Sequence, residues 1–323
     1  MVTDPLPPPP APLVVPADVL SHFTDLGPNP RVVTADVNGD GTPDYVGASG
    51  PGVPNRVEIL DGKTLAVLAD FSPFEATFTG GVWVAAADLT GDGKADVVAT
   101  PDQGGGPLVA VYDGAKLTAG QTGDGALLVR FWGIADPNFR GRDRAAVGQV
   151  NGVYALVVAA GPGGGPRVAV FRGADVAAGN ADPGRLTPDF YAFEPGYTGG
   201  MSVAVGDLGG AADVVFGGGP GAGPRVRVVD LAALLAAGGL PSLDAAPAGV
   251  QVANFFAGDP GSRAGVQVAV GASPGVGAGG PAALATRSMA GGTVNVYTPT
   301  DLSAGPTPAP DQTVDPLNGV FVG

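Results

Sequence analysis

Apolar residues in this chain come in short runs of valine, alanine and leucine, each closed by glycine, proline or aspartate. Runs of about 4–8 such residues between turn signals read as strands. Because the runs are continuous and do not alternate with polar residues, both faces of each sheet are expected to be covered. The runs also recur in a fixed order. Gly105-Gly106-Pro107-Leu108-Val109-Ala110-Val111-Tyr112 returns at residues 164–171 and 222–229, with weaker copies at 53–60 and 291–297. A further strand closes each unit at residues 67–71, 127–132, 188–193, 250–256 and 312–317. Five units of about 50–65 residues with four strands each are the signature of propeller blades. The expected fold class is therefore all-β, a β-propeller of five four-stranded blades. Single helical turns are expected after the third strand, at residues 175–179, 230–238 and 301–305.

The polar positions carry a second repeat. Asp36-Val37-Asn38-Gly39-Asp40-Gly41-Thr42-Pro43-Asp44 recurs as Asp88-Leu89-Thr90-Gly91-Asp92-Gly93-Lys94-Ala95-Asp96, at the same place in two successive units. Side chains at loop positions 1, 3, 5 and 9 converge if the backbone turns tightly, and calcium takes about 6–8 oxygen ligands in flexible geometry. The candidate metal ligands are Asp36, Asn38, Asp40 and Asp44 with the carbonyl of Thr42, and Asp88, Thr90, Asp92 and Asp96 with the carbonyl of Lys94. Glycine at positions 4 and 6 supplies the positive φ such a turn needs. A helix–loop–helix calcium site is excluded, because it needs a glutamate at position 12. Here that position is Gly47 or Ala99, and both flanks read as strands. Asp and Gly are also ordinary turn formers, so metal-free β-turns are the competing reading.

Together these elements resemble the FG-GAP/VCBS repeat family, the blades of integrin α chains and of many bacterial surface proteins. An aromatic-glycine element, the Asp-rich loop and a Gly-x-Val-x-Val-Tyr/Phe strand are shared over most of residues 19–323. The resemblance implies calcium in blades 1 and 2 only. Residues 149–152 and 207–213 are shortened at the loop position, and residues 272–280 carry no carboxylate there. It also implies an extracellular or cell-surface location in a bacterium. Residues 1–18 read as a proline-rich linker and 19–323 as one propeller, with blades at about 31–80, 81–141, 142–200, 201–265 and 266–323. Residues 19–27 align with a fourth-strand segment, which makes a spare N-terminal outer strand.

Composition narrows the partners. The 323 residues include 56 Gly and 33 Pro, a content that alone would suggest disorder, yet 45% are apolar and grouped in the repeats. The formal net charge of −14 repels phosphate backbones, so nucleic-acid binding is not expected. No apolar run is long enough for membrane insertion. Zero cysteines exclude disulfides and thiol chemistry. The single histidine, His22, gives little support to histidine-based catalysis. Glu58, Glu75 and Glu194 form no recognisable carboxylate pair of the glycosidase kind.

The leading expectation is thus a monomeric, non-enzymatic, calcium-stabilised module that binds an extracellular protein or polysaccharide. A lectin is the alternative, and a propeller-scaffold carbohydrate-active enzyme the third. Aromatics repeated at one blade position would favour the lectin. The loops between first and second strands mark one face, and the turns bearing Arg56, Arg167 and Arg225 mark the other. These arginines are candidate ligand-binding residues, unless each simply pairs with a neighbouring carboxylate.

Overall fold

The computed structural model describes residues 14–136, 139, 141–272, 282–303, 307–314 and 319–321. Blade 1 is built from Arg31–Ala35, Asp44–Ala48, Val57–Leu60 and Val67–Phe71. Blade 2 follows with Val82–Ala87, Asp96–Pro101, Leu108–Tyr112 and Leu127–Trp132, and blade 3 with Asp143–Val150, Val153–Ala160, Arg167–Arg172 and Arg185–Tyr191. Blade 4 uses Met201–Asp207, Ala212–Gly218, Arg225–Asp230 and Gln251–Phe256, and blade 5 Val266–Ala272, Ala282–Ser288, Val294–Tyr297 and Gln312–Val314. Each blade is an antiparallel sheet in chain order.

The first strand of each blade packs on the first strand of the next, from blade 1 through blade 5. There the sheets approach so closely that a Cβ at Gly148 would stand 2.0 Å from a Val205 methyl. Further out, apolar layers fill the space between successive blades. An aromatic pair recurs in these layers: Phe71 on Tyr112 at 4.7 Å, Phe131 on Phe171 at 4.9 Å and Phe255 on Tyr297 at 5.1 Å between ring centres. In each, the fourth strand of one blade meets the third strand of the next. Such tilted and edge-on contacts contribute about 0.5–1.5 kcal/mol beyond burial.

Short helices follow the third strand at Gly114–Thr118, Gly173–Ala177, Leu231–Ala236 and Pro299–Ser303. The first of these, in blade 2, was not among the expected turns. Asp113 and Asp230 cap two of them by accepting from Lys116 N and Ala233 N.

The spare N-terminal strand lies at Val14–Pro16 and not at residues 19–27. It pairs antiparallel with Gly319–Phe321 in a two-stranded sheet outside the blades. Residues 17–26 are helical instead. Val19, Phe23 and Leu26 are spaced by four and three, which puts them on one helical face, and all three are buried with Val32 and Leu60 of blade 1. The expected linker therefore ends early: residues 14–18 are strand and helix, and 1–13 lie outside the described residues. The end of the fourth strand expected at 315–317 also lies outside them, as does most of the blade 5 loop.

Candidate functional site

Both Asp-rich loops join the first and second strands of their blades, and the bonds that turn them are alike. Asp36 Oδ1 accepts from Gly39 N at 2.7 Å and Asp40 N at 3.1 Å, and its Oδ2 accepts from Gly41 N at 2.7 Å. Asp88 accepts from Gly91 N, Asp92 N and Gly93 N at 2.7, 3.1 and 2.9 Å. Asp40 and Asp92 accept from Thr42 N and Lys94 N. Gly39, Gly41, Gly91 and Gly93 have φ of 80°, 82°, 77° and 85°, the left-handed values expected of them. The loops also touch, since Ala95 N donates to the Asp36 carbonyl at 2.7 Å.

The donor chemistry fits a hard cation: aspartates, an Asn or Thr oxygen and a backbone carbonyl, with neither nitrogen nor sulfur. Among the described residues no three acidic or histidine side chains already form a metal-holding group. In this geometry the carboxylates are held by backbone N–H groups. Asp40 Oδ2 also takes Lys63 Nζ at 2.9 Å, and Asn38 donates to Asp61 at 3.0 Å.

Position 9 plays a separate part. Asp44 accepts from Val37 N, Asn38 N and Gly62 N at 2.9, 3.1 and 2.9 Å. Asp96 accepts from Thr90 N at 2.9 Å and Gly114 N at 3.0 Å. Both are fully buried. Each ties its loop to the turn after the third strand, so it latches the blade together whatever else it binds. Burial raises the pKa of Asp44 and pushes Asp96 up to about 6. The shortened loop of blade 4 keeps the buried aspartate but only its loop bond: Asp213 accepts from Leu208 N at 3.2 Å and is likewise pushed to about 6 by burial. In blade 3 the loop is a two-residue Asn151-Gly152 turn, both at positive φ, the ordinary hairpin device.

On the opposite face, Arg56 makes a two-pronged bond to Asp70 at 2.7 and 2.8 Å and reaches Glu58 at 3.1 Å. Glu58 and Asp70 are cross-strand partners, a carboxylate pair clamped by an arginine. Arg225 bonds Asn254 at 3.0 Å and pairs with Glu194. Arg167 makes neither hydrogen bond nor ion pair among the described residues, and its charge acts on Asp189. Two of the three arginines thus pair with neighbouring carboxylates. The fourth-strand residues opposite Leu108, Arg167 and Arg225 are Trp132, Tyr191 and Phe256. Aromatics therefore do repeat at one blade position; Trp132 and Phe256 are 55% and 46% exposed.

A cluster that the sequence reading did not single out lies near the axis on this same face. Arg31, Trp83, Arg144, Ser202 and Gln267 occupy one position in the first strands of blades 1 to 5. The signal was visible as a column of non-aliphatic residues in otherwise aliphatic strands. Asp102, whose side chain is 1% exposed, forms an ion pair with Arg31, with Arg142 at 3.0 Å and with Arg144 at 3.9 Å. Arg31 and Arg144 lie over the Trp83 ring at 4.7 and 3.7 Å. Burial raises the Asp143 pKa well above the usual carboxylate range, which favours its neutral form.

Among known proteins, the FG-GAP-like repeat family matches residues 36–99, which hold both loops. No curated protein sequence matches significantly. Similar solved structures include the exotype rhamnogalacturonan lyase YesX, at 11% identity and a TM-score of 0.39 over 87% of this chain and 56% of that one. A Bacillus licheniformis rhamnogalacturonan lyase has 12% identity and a TM-score of 0.40 over 88% and 57%. The Dos1 propeller has 11% identity and a TM-score of 0.46 over 87% and 60%. The chain spans less than two thirds of the length of each.

Proposed function

We propose that this FG-GAP-repeat propeller is a calcium-stabilised, non-enzymatic binding module of the bacterial cell exterior, acting as a monomer on a protein or polysaccharide. The observation that carries it is the shared fold of two oxygen-rich loops on adjacent blades, in which Asp36 and Asp88 each gather three backbone N–H groups in the same pattern. Asp36, Asn38, Asp40, Asp44 and the Thr42 carbonyl would hold one calcium. Asp88, Thr90, Asp92, Asp96 and the Lys94 carbonyl would hold the other. Bound calcium offsets the mutual repulsion of the loop carboxylates and stabilises the native state in proportion to occupancy. Calcium titration of the chelated protein, followed by melting and elemental analysis, tests this. Two bound ions and a raised melting temperature are expected; an unchanged melt with no calcium found overturns it.

The lectin reading is favoured by a specific observation. Trp132, Tyr191 and Phe256 stand at one blade position, and Tyr191 and Phe256 stand opposite Arg167 and Arg225. A flat aromatic beside a cationic side chain suits a sugar ring carrying polar substituents. A glycan array probed with and without calcium separates the readings: saccharide binding lost on Trp132→Ala and Phe256→Ala identifies a lectin.

A further inference from the structure

Near the axis, Trp83, Arg144, Ser202, Gln267 and Met289 line a cavity of about 30 Å³. A water needs roughly 10–15 Å³ measured in this way, so the space holds about two water-sized atoms. Two donors in it are unsatisfied. Trp83 Nε1 is buried without a hydrogen-bond partner, and Arg144 Nη1 is buried with only a long ion pair, 3.9 Å to Asp102 Oδ1. Orphaned buried donors are rare in folded proteins and point to a missing acceptor. Ser202 is not a third donor, because its hydroxyl is given to the Val266 carbonyl at 2.9 Å.

The charge balance points the same way. Arg31, Arg142 and Arg144 share one carboxylate, Asp102. Asp143 is fully buried with neither oxygen hydrogen-bonded, and burial favours its neutral form. The chain carries a formal charge of −14, so a surplus of cations at this one place stands against the sign of the whole molecule. Burial lowers the pKa of Arg31 and brings that of Arg144 down to about 9, against the opposing pull of Asp102.

We infer that this axial cavity binds a small carboxylate anion, with one oxygen received by Trp83 Nε1–H and the other by the Arg144 guanidinium. The two oxygens of a carboxylate match the two donors, whereas a tetrahedral oxyanion brings four. Because two guanidinium groups lie over the indole ring, the tryptophan offers the ligand its N–H edge. This site is separate from the calcium loops and from the peripheral aromatics, so it stands or falls without them.

The test uses the full chain with Trp132→Phe, which leaves Trp83 as its single tryptophan and changes an exposed side chain. Acetate, acetamide and sulfate are titrated against Trp83 emission and against melting. Acetate is expected to shift the emission and raise the melting temperature, with neutral acetamide and sulfate giving no comparable change. Trp83→Phe keeps the ring but removes the N–H, and calorimetry should show acetate binding about tenfold weaker. Arg144→Lys keeps the charge but loses the fork and should weaken it similarly. No response to acetate in the Trp132→Phe protein overturns the inference, as does an equal response to acetamide or sulfate. Undiminished acetate binding by Trp83→Phe also overturns it. If Trp83→Phe does not fold, the emission titration and Arg144→Lys decide.

Discussion

Blade 2 and blade 4 are the same sheet with opposite equipment at its two ends. At the loop end both keep a buried aspartate, Asp96 or Asp213, that accepts backbone N–H bonds and carries a pKa pushed to about 6. In front of it blade 2 carries Asp88, Thr90 and Asp92, where blade 4 keeps only Asp207. At the other end blade 2 has Trp83 and Asp102, where blade 4 has Ser202 and Gly219. The buried aspartate belongs to the fold, since it survives a shortened loop. The metal-loop residues and the charged hub are additions that one blade carries and another does without.

The hub should give the largest separation. Asp102→Ala leaves three guanidinium groups without their shared anion, and losing one partner of a buried ion pair costs about 3–5 kcal/mol. Denaturant unfolding should show a loss of that size. Next come the loops. At a hundredfold excess of calcium over Kd, each occupied site adds about 2.7 kcal/mol. Asp40→Ala should abolish the melting response of one site and Asp92→Ala that of the other. The double variant should melt alike with calcium or chelator; a remaining calcium response would place the ion elsewhere.

A smaller effect tests the buried aspartate shared by both blades. The Asp213 carboxyl titrates near 6 in the folded protein against an unperturbed 3.8, so the native state favours its neutral form. That contribution is fully present below about pH 3.8 and is lost as pH rises through about 6. The loss is up to about 2 kcal/mol after allowance for solvent screening. Melting temperature in chelator should fall as pH rises from about 4 to about 7, and Asp213→Asn should flatten part of that fall. Asp96 supplies a further part that calcium suppresses. The smallest effect belongs to Arg56, whose side chain is 31% exposed. Arg56→Ala should cost no more than about 1 kcal/mol, read from the same denaturant curves.

Sequence revealed blades and loops because their residues are close along the chain. Asp36 to Asp44 is a local device: each bond spans a few residues, and glycines at fixed offsets announce the turn. The peripheral features were hidden by register. The connection from third to fourth strand runs from a short turn in blade 1 to a helix and a further 3₁₀ turn in blade 4. Pairing of these strands is bulged in blades 1 to 4. Spacing alone therefore could not align Trp132 with Tyr191 and Phe256, or set Glu58 opposite Asp70. Residues 19–27 misled for the opposite reason. Their match to an outer-strand segment was real as a pattern, but the spacing of Val19, Phe23 and Leu26 is helical.

The pairing of Val14–Pro16 with Gly319–Phe321 gives the molecule a mechanical character. Val14 lies opposite Phe321, so the chain enters and leaves this ribbon at the same end. Tension applied across residues 14 and 321 peels the rungs in succession and does not load them in parallel. Three residue pairs opened in this way yield before the four-stranded sheets. In a pulling experiment the clasp should appear as a short, low-force first extension. Between pulls it should re-form readily, because the intact blades keep the two segments within reach of each other.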